Sequence, residues 1–197
     1  MSKRSSSPAG KILCILGVLL ILLSAFLFLR VKNDGKNSAE ENELAVEYLT
    51  ALLEERTVGY LEERNTPEMP ALEYRGRDLA ALLEVPGHGV VLPVLAEWNQ
   101  RTVNSVPCRF SGNPYDGSLV IGGVDAVGLF DFIPRTDIGD RIILTDMKGC
   151  EFRYTVSDVR HAKDGKAKTL QSGSGDLTLF ARSAQNGDYL LVQCVLD

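Results

Sequence analysis

Four cysteines and two histidines are the side chains that could supply nucleophilic or general-base chemistry. A catalytic thiol needs a neighbouring base or cation that lowers its pKa. Cys150 follows a turn glycine and Cys194 lies in an apolar run, and neither has a histidine close by in the sequence. His88 stands in a Pro-Gly-His-Gly turn and His161 beside a polar loop, so we expect both to be exposed.

Cysteine is among the most frequently buried residue types, so core packing of these thiols is the first expectation. A bridge between Cys108 and Cys194 is a second possibility, and a relocated cysteine nucleophile at Cys150 or Cys194 is the third. Asp125, Asp131 and Asp176 could suit a hard cation such as calcium. No loop has the spacing of a calcium site, so we expect solvated or paired carboxylates, no metal and no cofactor.

The elements that would position these residues are mainly β-strands. Apolar or alternating runs bounded by Gly, Pro, Asn and Asp predict strands, and an Asn-Gly pair at 186–187 predicts a closing hairpin. We expect a closed or nearly closed β-barrel of about seven to eight strands with short helices, one of them near 127–132. Residues 57–77 and 161–175 are predicted loops. The predicted strands are 79–85, 90–95, 118–122, 141–145, 150–156, 176–182 and 189–196.

Two helices are predicted before the barrel. Residues 12–29 are 18 uncharged, mostly apolar residues, enough to span a bilayer core of roughly 30 Å. A cleaved signal peptide is the alternative. After a polar linker at 31–37, the Ser-x-x-Glu capping box at Ser38 predicts an amphipathic helix to about residue 56. Its apolar stripe is predicted from the i, i+3, i+4, i+7 spacing of Ala45, Tyr48, Leu49 and Leu52.

These elements divide the chain into a cytoplasmic tail (1–11), a transmembrane anchor (12–29), a linker with the N-terminal helix (30–78) and a β-barrel domain (79–197). The positive charges flanking the anchor are balanced, so the short tail favours an N-terminus inside and a domain outside the cell. The formal net charge is −5, and beyond Lys36 there are 15 basic and 25 acidic residues. Such an acidic domain is a poor candidate for binding nucleic acid or anionic lipid.

Six strings, in order along the chain, resemble those of the sortases, the membrane-anchored cysteine transpeptidases of Gram-positive surfaces, and most of all a clostridial-type group. The resemblance covers roughly residue 79 to the C-terminus, together with the arrangement of anchor and helix. The strings are Leu-Pro-Val-Leu-Ala-Glu-Trp (92–98), Val-Pro-Cys-Arg-Phe-Ser-Gly (106–112), Leu-Val-Ile-Gly-Gly (119–123), Ile-Gly-Asp-Arg-Ile (138–142), Leu-Thr-Asp-Met-Lys-Gly (144–149) and Asp-Leu-Thr-Leu-Phe (176–180).

The resemblance implies a Cys, a His and an Arg at strand ends around one groove, where LPxTG-like signals are cut and transferred to an amine. Val124 stands at the position of the His, Arg182 at that of the Cys and Tyr189 at that of the Arg. Valine cannot transfer a proton, arginine has a pKa above about 12, and tyrosine carries no fixed positive charge. The resemblance therefore implies a sortase-like framework without its catalytic residues.

Arg182 has two interpretations. It either points to solvent or pairs with a carboxylate such as Asp125, or it turns the groove into a site for an anion or carboxylate. Arg182, Asp125 and Tyr189 are the candidate binding residues. We expect a membrane-anchored pseudo-sortase that acts in binding or assembly, with a cell-surface protein, a pilin or an active sortase as partner. The alternatives are a transpeptidase with a non-standard or relocated site, and a decaying copy without a present role.

Overall fold

The computed structural model describes residues 8–57, 68–163, 165–170, 175–183 and 187–197. The chain divides into two compact units between Ser38 and Ala39. The sequence-based division at residues 11, 29 and 78 stays a prediction. Four parts of these predictions lie outside the described residues: the tail at 1–7, residues 58–67 of the first predicted loop, residues 164 and 171–174 of the second, and residues 185–186 of the predicted hairpin turn.

The N-terminal element is one continuous helix, α1, which runs from Pro8 to Thr57. The predictions of a linker at 31–37 and of a new helix starting at Ser38 are therefore wrong. No proline lies between Pro8 and Pro67 to remove a backbone donor, so the hydrogen-bond ladder continues through the polar stretch. In the first unit, the large apolar side chains from Leu13 to Phe28 are mostly exposed. None of the helices in the described residues is both long enough and apolar enough to cross a membrane.

The second unit is mainly β, as predicted. Its short helix is α2 (Ala167–Leu170), and three 3₁₀ turns cover Pro86–His88, Thr102–Asn104 and Ile133–Arg135. The strands are β1 (Leu72–Tyr74), β2 (Arg77–Val85), β3 (Val90–Leu95), β4 (Cys108–Ser111), β5 (Leu119–Val124), β6 (Arg141–Asp146), β7 (Glu151–Ala162), β8 (Leu177–Arg182) and β9 (Tyr189–Leu196).

Eight of these strands form a closed barrel, which confirms the predicted barrel. Their order is β2-β3-β4-β5-β8-β9-β7-β6, and β6 pairs back with β2 to close the sheet. The pairs β3–β4 and β5–β8 are parallel and the others are antiparallel. β1 adds a short hairpin to β2. Closure leaves the eight strands without an unpaired edge.

Strand alternation sorts the side chains of β5, β8 and β9 into two sets. One set points into the barrel and belongs to the main apolar core. This inward set is Leu119, Ile121, Leu177, Leu179, Ala181, Leu190, Val192 and Cys194. The opposite set, which we call the outer face, contains the candidate site residues.

Four sequence predictions in this unit need correction. β1 and β4 were not predicted, because three or four residues are too few to show an alternating pattern. β7 is twelve residues long and extends to Ala162, into the predicted loop at 161–175, which also contains α2. The helix predicted near 127–132 is a 3₁₀ turn at Ile133–Arg135.

The C-terminal part of α1 packs on the barrel through one stripe. Ala45, Leu49 and Leu53 are buried in a second apolar cluster with residues of β2 and of the β3–β4 connection. The predicted stripe is correct for Ala45 and Leu49 but wrong for Tyr48, which is exposed. The Tyr48 ring stacks on Tyr74 of β1 with 4.6 Å between centroids.

We expect Leu49→Ala to lower the free energy of unfolding by about 2–5 kcal/mol, because it leaves a cavity in a fully buried contact. Urea denaturation of the full-length chain in detergent measures this. Thr50→Ala, an exposed neighbour on the same helix, is the control and should change stability by less than about 0.5 kcal/mol. Equal effects of the two substitutions would contradict the packing of α1 on the barrel.

Candidate functional site

The structure brings the three predicted site positions together in one row, which we call the strand-end row: Val124, Arg182 and Tyr189. Val124 is the register partner of Arg182 in the parallel pair β5–β8. Arg182 is in turn the partner of Tyr189 in the closing hairpin. The row forms because the parallel pairing aligns the carboxyl ends of β5 and β8, and the hairpin places the start of β9 beside them.

Hydrogen bonds of the backbone hold the centre of this row in place. The Asp125 amide donates to the Arg182 carbonyl oxygen at 3.1 Å, and the Ser183 amide donates to the Asp188 carbonyl oxygen at 2.8 Å. Arg182 is therefore fixed on both sides, while its side chain is exposed. Val124 and Tyr189 are half-buried. The row offers a fixed cation, an aliphatic group and a phenol, but no thiol and no imidazole.

An open pocket of about 560 Å³ surrounds Arg182, and we call it the strand-end pocket. Its charged residues are Arg182 and Asp125. The structure records no ion pair between these two, and neither side chain has a hydrogen bond to another described residue. The other lining residues are Asn104, Val124, Ala126, Ser183 and Gly187. The suggested pairing of Arg182 with Asp125 is thus absent, and the guanidinium points into an accessible pocket.

The remainder of the outer face is covered by the chain itself. Six residues of the outer face are buried. They precede the strand-end row on β5 and β8, and they follow it on β9. They are Val120, Gly122, Thr178, Phe180, Leu191 and Gln193. On β5 and β8 the strand-end row is therefore the accessible limit of the outer face, whereas on β9 Val195 is also exposed at the far end.

Aromatic rings and α2 cover this part of the outer face. Trp98 from the β3–β4 connection lies 5.6 Å from the Phe180 ring and 5.1 Å from that of Phe110, between centroids. Phe110 packs edge-on against Phe180 at 5.5 Å. Leu170 of α2 joins the same cluster and is 1% exposed. Tyr189 borders the cluster, with its ring 6.1 Å from Phe180.

Close approach of the cover to the sheet requires glycine at two points. A Cβ on Gly122 would overlap the Phe180 ring and would lie 2.6 Å from Trp98 Cζ3. A Cβ on Gly165 would lie 2.5 Å from Tyr189 Cζ. The β7–β8 connection therefore packs directly on Tyr189, and Trp98 packs directly on β5.

Cys108 and Cys194 are free thiols, so the bridge considered from the sequence is not formed. They lie in separate apolar clusters, on β4 and β9, with β5 and β8 between them in the sheet. Three strand spacings of about 4.8 Å far exceed the Cα separation of about 7 Å that a disulfide tolerates. Burial raises the pKa of Cys108, and it raises the pKa of Cys194 to about 12. Both thiols are packed as core residues.

Cys150 is half-buried, and its described neighbours include Asp146 and Tyr115. Its amide donates to Asp146 Oδ1 at 2.9 Å, within the turn that joins β6 to β7. The Tyr115 hydroxyl donates to Asp146 Oδ2. Desolvation, Asp146 and Cys150 all raise the pKa of Tyr115, so this hydroxyl stays protonated and cannot accept the thiol proton. Asp146 is buried as a turn-forming acceptor.

Neither histidine belongs to the strand-end row, although His161 lies close to it, as the register partner of Leu190 next to Tyr189. His161, in β7, is exposed as predicted. The prediction for His88 is wrong, because its side chain is only 15% exposed. His88 Nε2 lies 3.2 Å from Asp140 Oδ2, and its ring packs 5.9 Å from that of Phe132. Bonds from the Asp137 amide and His88 lower the pKa of Asp140.

The remaining candidate carboxylates have contacts of their own. Asp131 Oδ2 accepts from Arg135 Nη2 at 3.2 Å, and Asp176 Oδ2 accepts from the Leu196 amide at 2.8 Å. Within the described ranges, no group of three His, Cys, Asp or Glu side chains is placed to hold a metal ion.

Comparison with known proteins defines the class of fold. No protein-family model and no curated protein sequence matches this chain. Solved structures of sortases do match it, and at 15–21% identity this likeness establishes a sortase fold.

Three of these structures represent different sortase classes. The Clostridium perfringens sortase D5 transpeptidase has a TM-score of 0.56 and 18% identity, covering 83% of this chain and 98% of its own. Group B Streptococcus pilus island 1 sortase C2 has a TM-score of 0.55 and 17% identity, covering 77% and 97%. Sortase A from Corynebacterium diphtheriae has a TM-score of 0.53 and 19% identity, covering 85% and 95%.

Sequence reasoning missed the residues that close the outer face. Trp98 lies within one of the strings used for the resemblance, but nothing in that string indicates that it packs on β5. Leu170 is a single apolar residue in a polar stretch and gave no periodic signal. Gly122 was the one available indication, since a glycine inside a strand often marks a close approach.

We expect Gly122→Ala to destabilise the protein by about 1–3 kcal/mol, because the added methyl group overlaps Phe180 and crowds Trp98. Gly87→Ala is the matched control, since its Cβ meets nothing within 4 Å. That substitution should be neutral, or stabilising by up to about 1 kcal/mol. Thermal unfolding of the two variants measures the difference, and an unaffected Gly122→Ala would mean that Trp98 does not cover β5.

Proposed function

We propose that this protein is a non-catalytic member of the sortase fold that binds a partner at the cell surface. The observation that carries the proposal is the strand-end row, where Val124, Arg182 and Tyr189 lie side by side without a thiol or an imidazole. The sortase fold supports an origin in that group of transpeptidases.

The roles expected at the three positions of the strand-end row follow from the resemblance of the local sequence strings to sortases. In sortases a thiolate attacks the substrate carbonyl, a histidine protonates the leaving amine and an arginine stabilises the charged intermediate. Arg182, Val124 and Tyr189 stand at those three positions and can perform none of the three tasks. In a serine protease, removal of the nucleophile alone costs on the order of a million-fold in kcat. Three replacements leave no route for acyl transfer at this row.

The other thiols do not offer a substitute. Cys194 is inside the barrel with its pKa raised to about 12, and Cys108 is buried under α1. Cys150 neighbours a protonated tyrosine and the carboxylate of Asp146, whose two oxygens already accept hydrogen bonds. The closed outer face also leaves little of an extended substrate groove.

The proposed setting is the outside of a Gram-positive cell, with residues 12–29 as a membrane anchor and the N-terminus inside. The uncharged run and the exposed apolar side chains between Leu13 and Phe28 support this. A cell-surface protein, a pilin or an active sortase is the proposed partner. The excess of acidic over basic residues beyond Lys36 makes nucleic acid an unsuitable one.

We expect the full-length chain in detergent to release no product from LPxTG-like peptides with triglycine as acceptor, and to form no covalent adduct with them. Chromatography of the peptides and intact-mass spectrometry of the protein measure the two outcomes. The variants Cys150→Ser and Cys194→Ala should be indistinguishable from the wild type. Product that disappears in either variant would establish a relocated nucleophile and overturn the proposal.

A topology experiment tests the cellular setting. We expect alkaline phosphatase fused after Asp197 to be active, because this enzyme requires export, and deletion of residues 12–29 to abolish its activity. Fusion of β-galactosidase at the same point is the control and should be inactive in the intact chain. The reverse pattern would place the barrel inside the cell.

A further inference from the structure

We propose that the strand-end pocket binds the C-terminal carboxylate of a peptide chain, with Arg182 as the cation that receives it. This inference rests on the proposed loss of transpeptidation, because Arg182 stands where acyl transfer would otherwise occur.

The closed outer face determines which part of a peptide can enter. An extended chain running along β8 would have to pass over Phe180, which is 1% exposed beneath Trp98 and Phe110. Leu170 blocks the same path from α2, and Gly165 packs on Tyr189. These described residues therefore close the path along β8 beside the strand-end pocket. A pocket with this shape accepts a chain end and excludes a continuous segment.

Arg182 gives the chemistry of the ligand. Its backbone is fixed by the Asp125 amide and by pairing with Tyr189, whereas the guanidinium has no partner among the described residues. A planar guanidinium with five donors suits a carboxylate, which it binds through two parallel hydrogen bonds. Gly187 lies beside the guanidinium, since a Cβ added to this glycine would stand 4.0 Å from Arg182 Nη2. The positive φ of 77° at Gly187 favours glycine at this position.

Asp125 restricts the charge of the ligand. With one cation and one carboxylate, the pocket has no net charge to attract a dianion such as phosphate. A peptide terminus meets both groups, because its carboxylate suits Arg182 and the N–H of its last residue suits Asp125. The volume of about 560 Å³ falls within the 300–1,000 Å³ that is typical of small-ligand pockets. The last few residues of a chain therefore match the space and the charge.

The test measures fluorescence anisotropy of an N-terminally labelled Gly-Ser-Gly-Ser-Ala-Ala peptide with the full-length chain in detergent. The peptide is compared in two forms, with a free C-terminal carboxylate and with a carboxamide. We expect the acid to bind about ten- to hundredfold more tightly than the amide, the usual effect of a charge-assisted hydrogen-bond pair. Inorganic phosphate should compete poorly with the acid, and acetate should compete better.

Four variants locate the effect. Arg182→Ala should remove the preference for the acid, and Arg182→Lys should retain part of it as a point charge without the planar fork. Arg135→Ala removes an exposed arginine that pairs with Asp131 outside the pocket, and it should bind like the wild type. Asp125→Asn should make phosphate a stronger competitor.

Equal binding of acid and amide by the wild type, or no saturable binding of either, overturns the carboxylate site without the need for any variant. An acid preference that survives Arg182→Ala also overturns it. Release of product from an LPxTG-like peptide would instead overturn the proposed function. The two failures are therefore distinguishable.

Discussion

The parallel pairing of β5 with β8 is the constraint on which the rest of this site depends. It places the carboxyl ends of two strands at the same edge of the barrel, so Val124 lies beside Arg182. The hairpin to β9 then adds Tyr189 to the same row. Because the side-chain period of a strand is two, this register also sends Leu179 inward and Phe180 outward. One pairing thus sets both the core and the outer face.

The outward set of side chains is largely covered by other parts of the chain. Trp98 and Phe110 pack around Phe180, and Leu170 extends this cover over the face. Apolar burial of this kind stabilises the barrel, and it also removes surface that a long substrate would need. Among the described residues of β5 and β8, this face is accessible at the strand-end pocket around Arg182. Among the described residues, this packing leaves no exposed path over Phe180 along β8.

Much of the barrel could be predicted from the sequence, because the alternating run that begins β7 and the apolar runs of β8 and β9 are bounded by turn residues. The predictions that were wrong also have physical reasons. β1 and β4 are too short to show a pattern, and β4 is defined by its neighbours β3 and β5. The continuous α1 was missed because a capping box at Ser38 marks a helix start only when the preceding residues leave the helix. His88 was placed at the surface, although Asp140, 52 positions away, partners it.

The sequence by itself determined which side chains occupy the strand-end row, and so determined that a valine, an arginine and a tyrosine stand there. It also determined the absence of a histidine near any cysteine along the chain. Only the tertiary structure decided that Cys108 and Cys194 are separated by two strands, and that Arg182 faces an open pocket without an ion pair to Asp125. Chemical identity is local to a residue, whereas accessibility depends on distant residues such as Trp98 and Leu170 that the fold brings over the sheet.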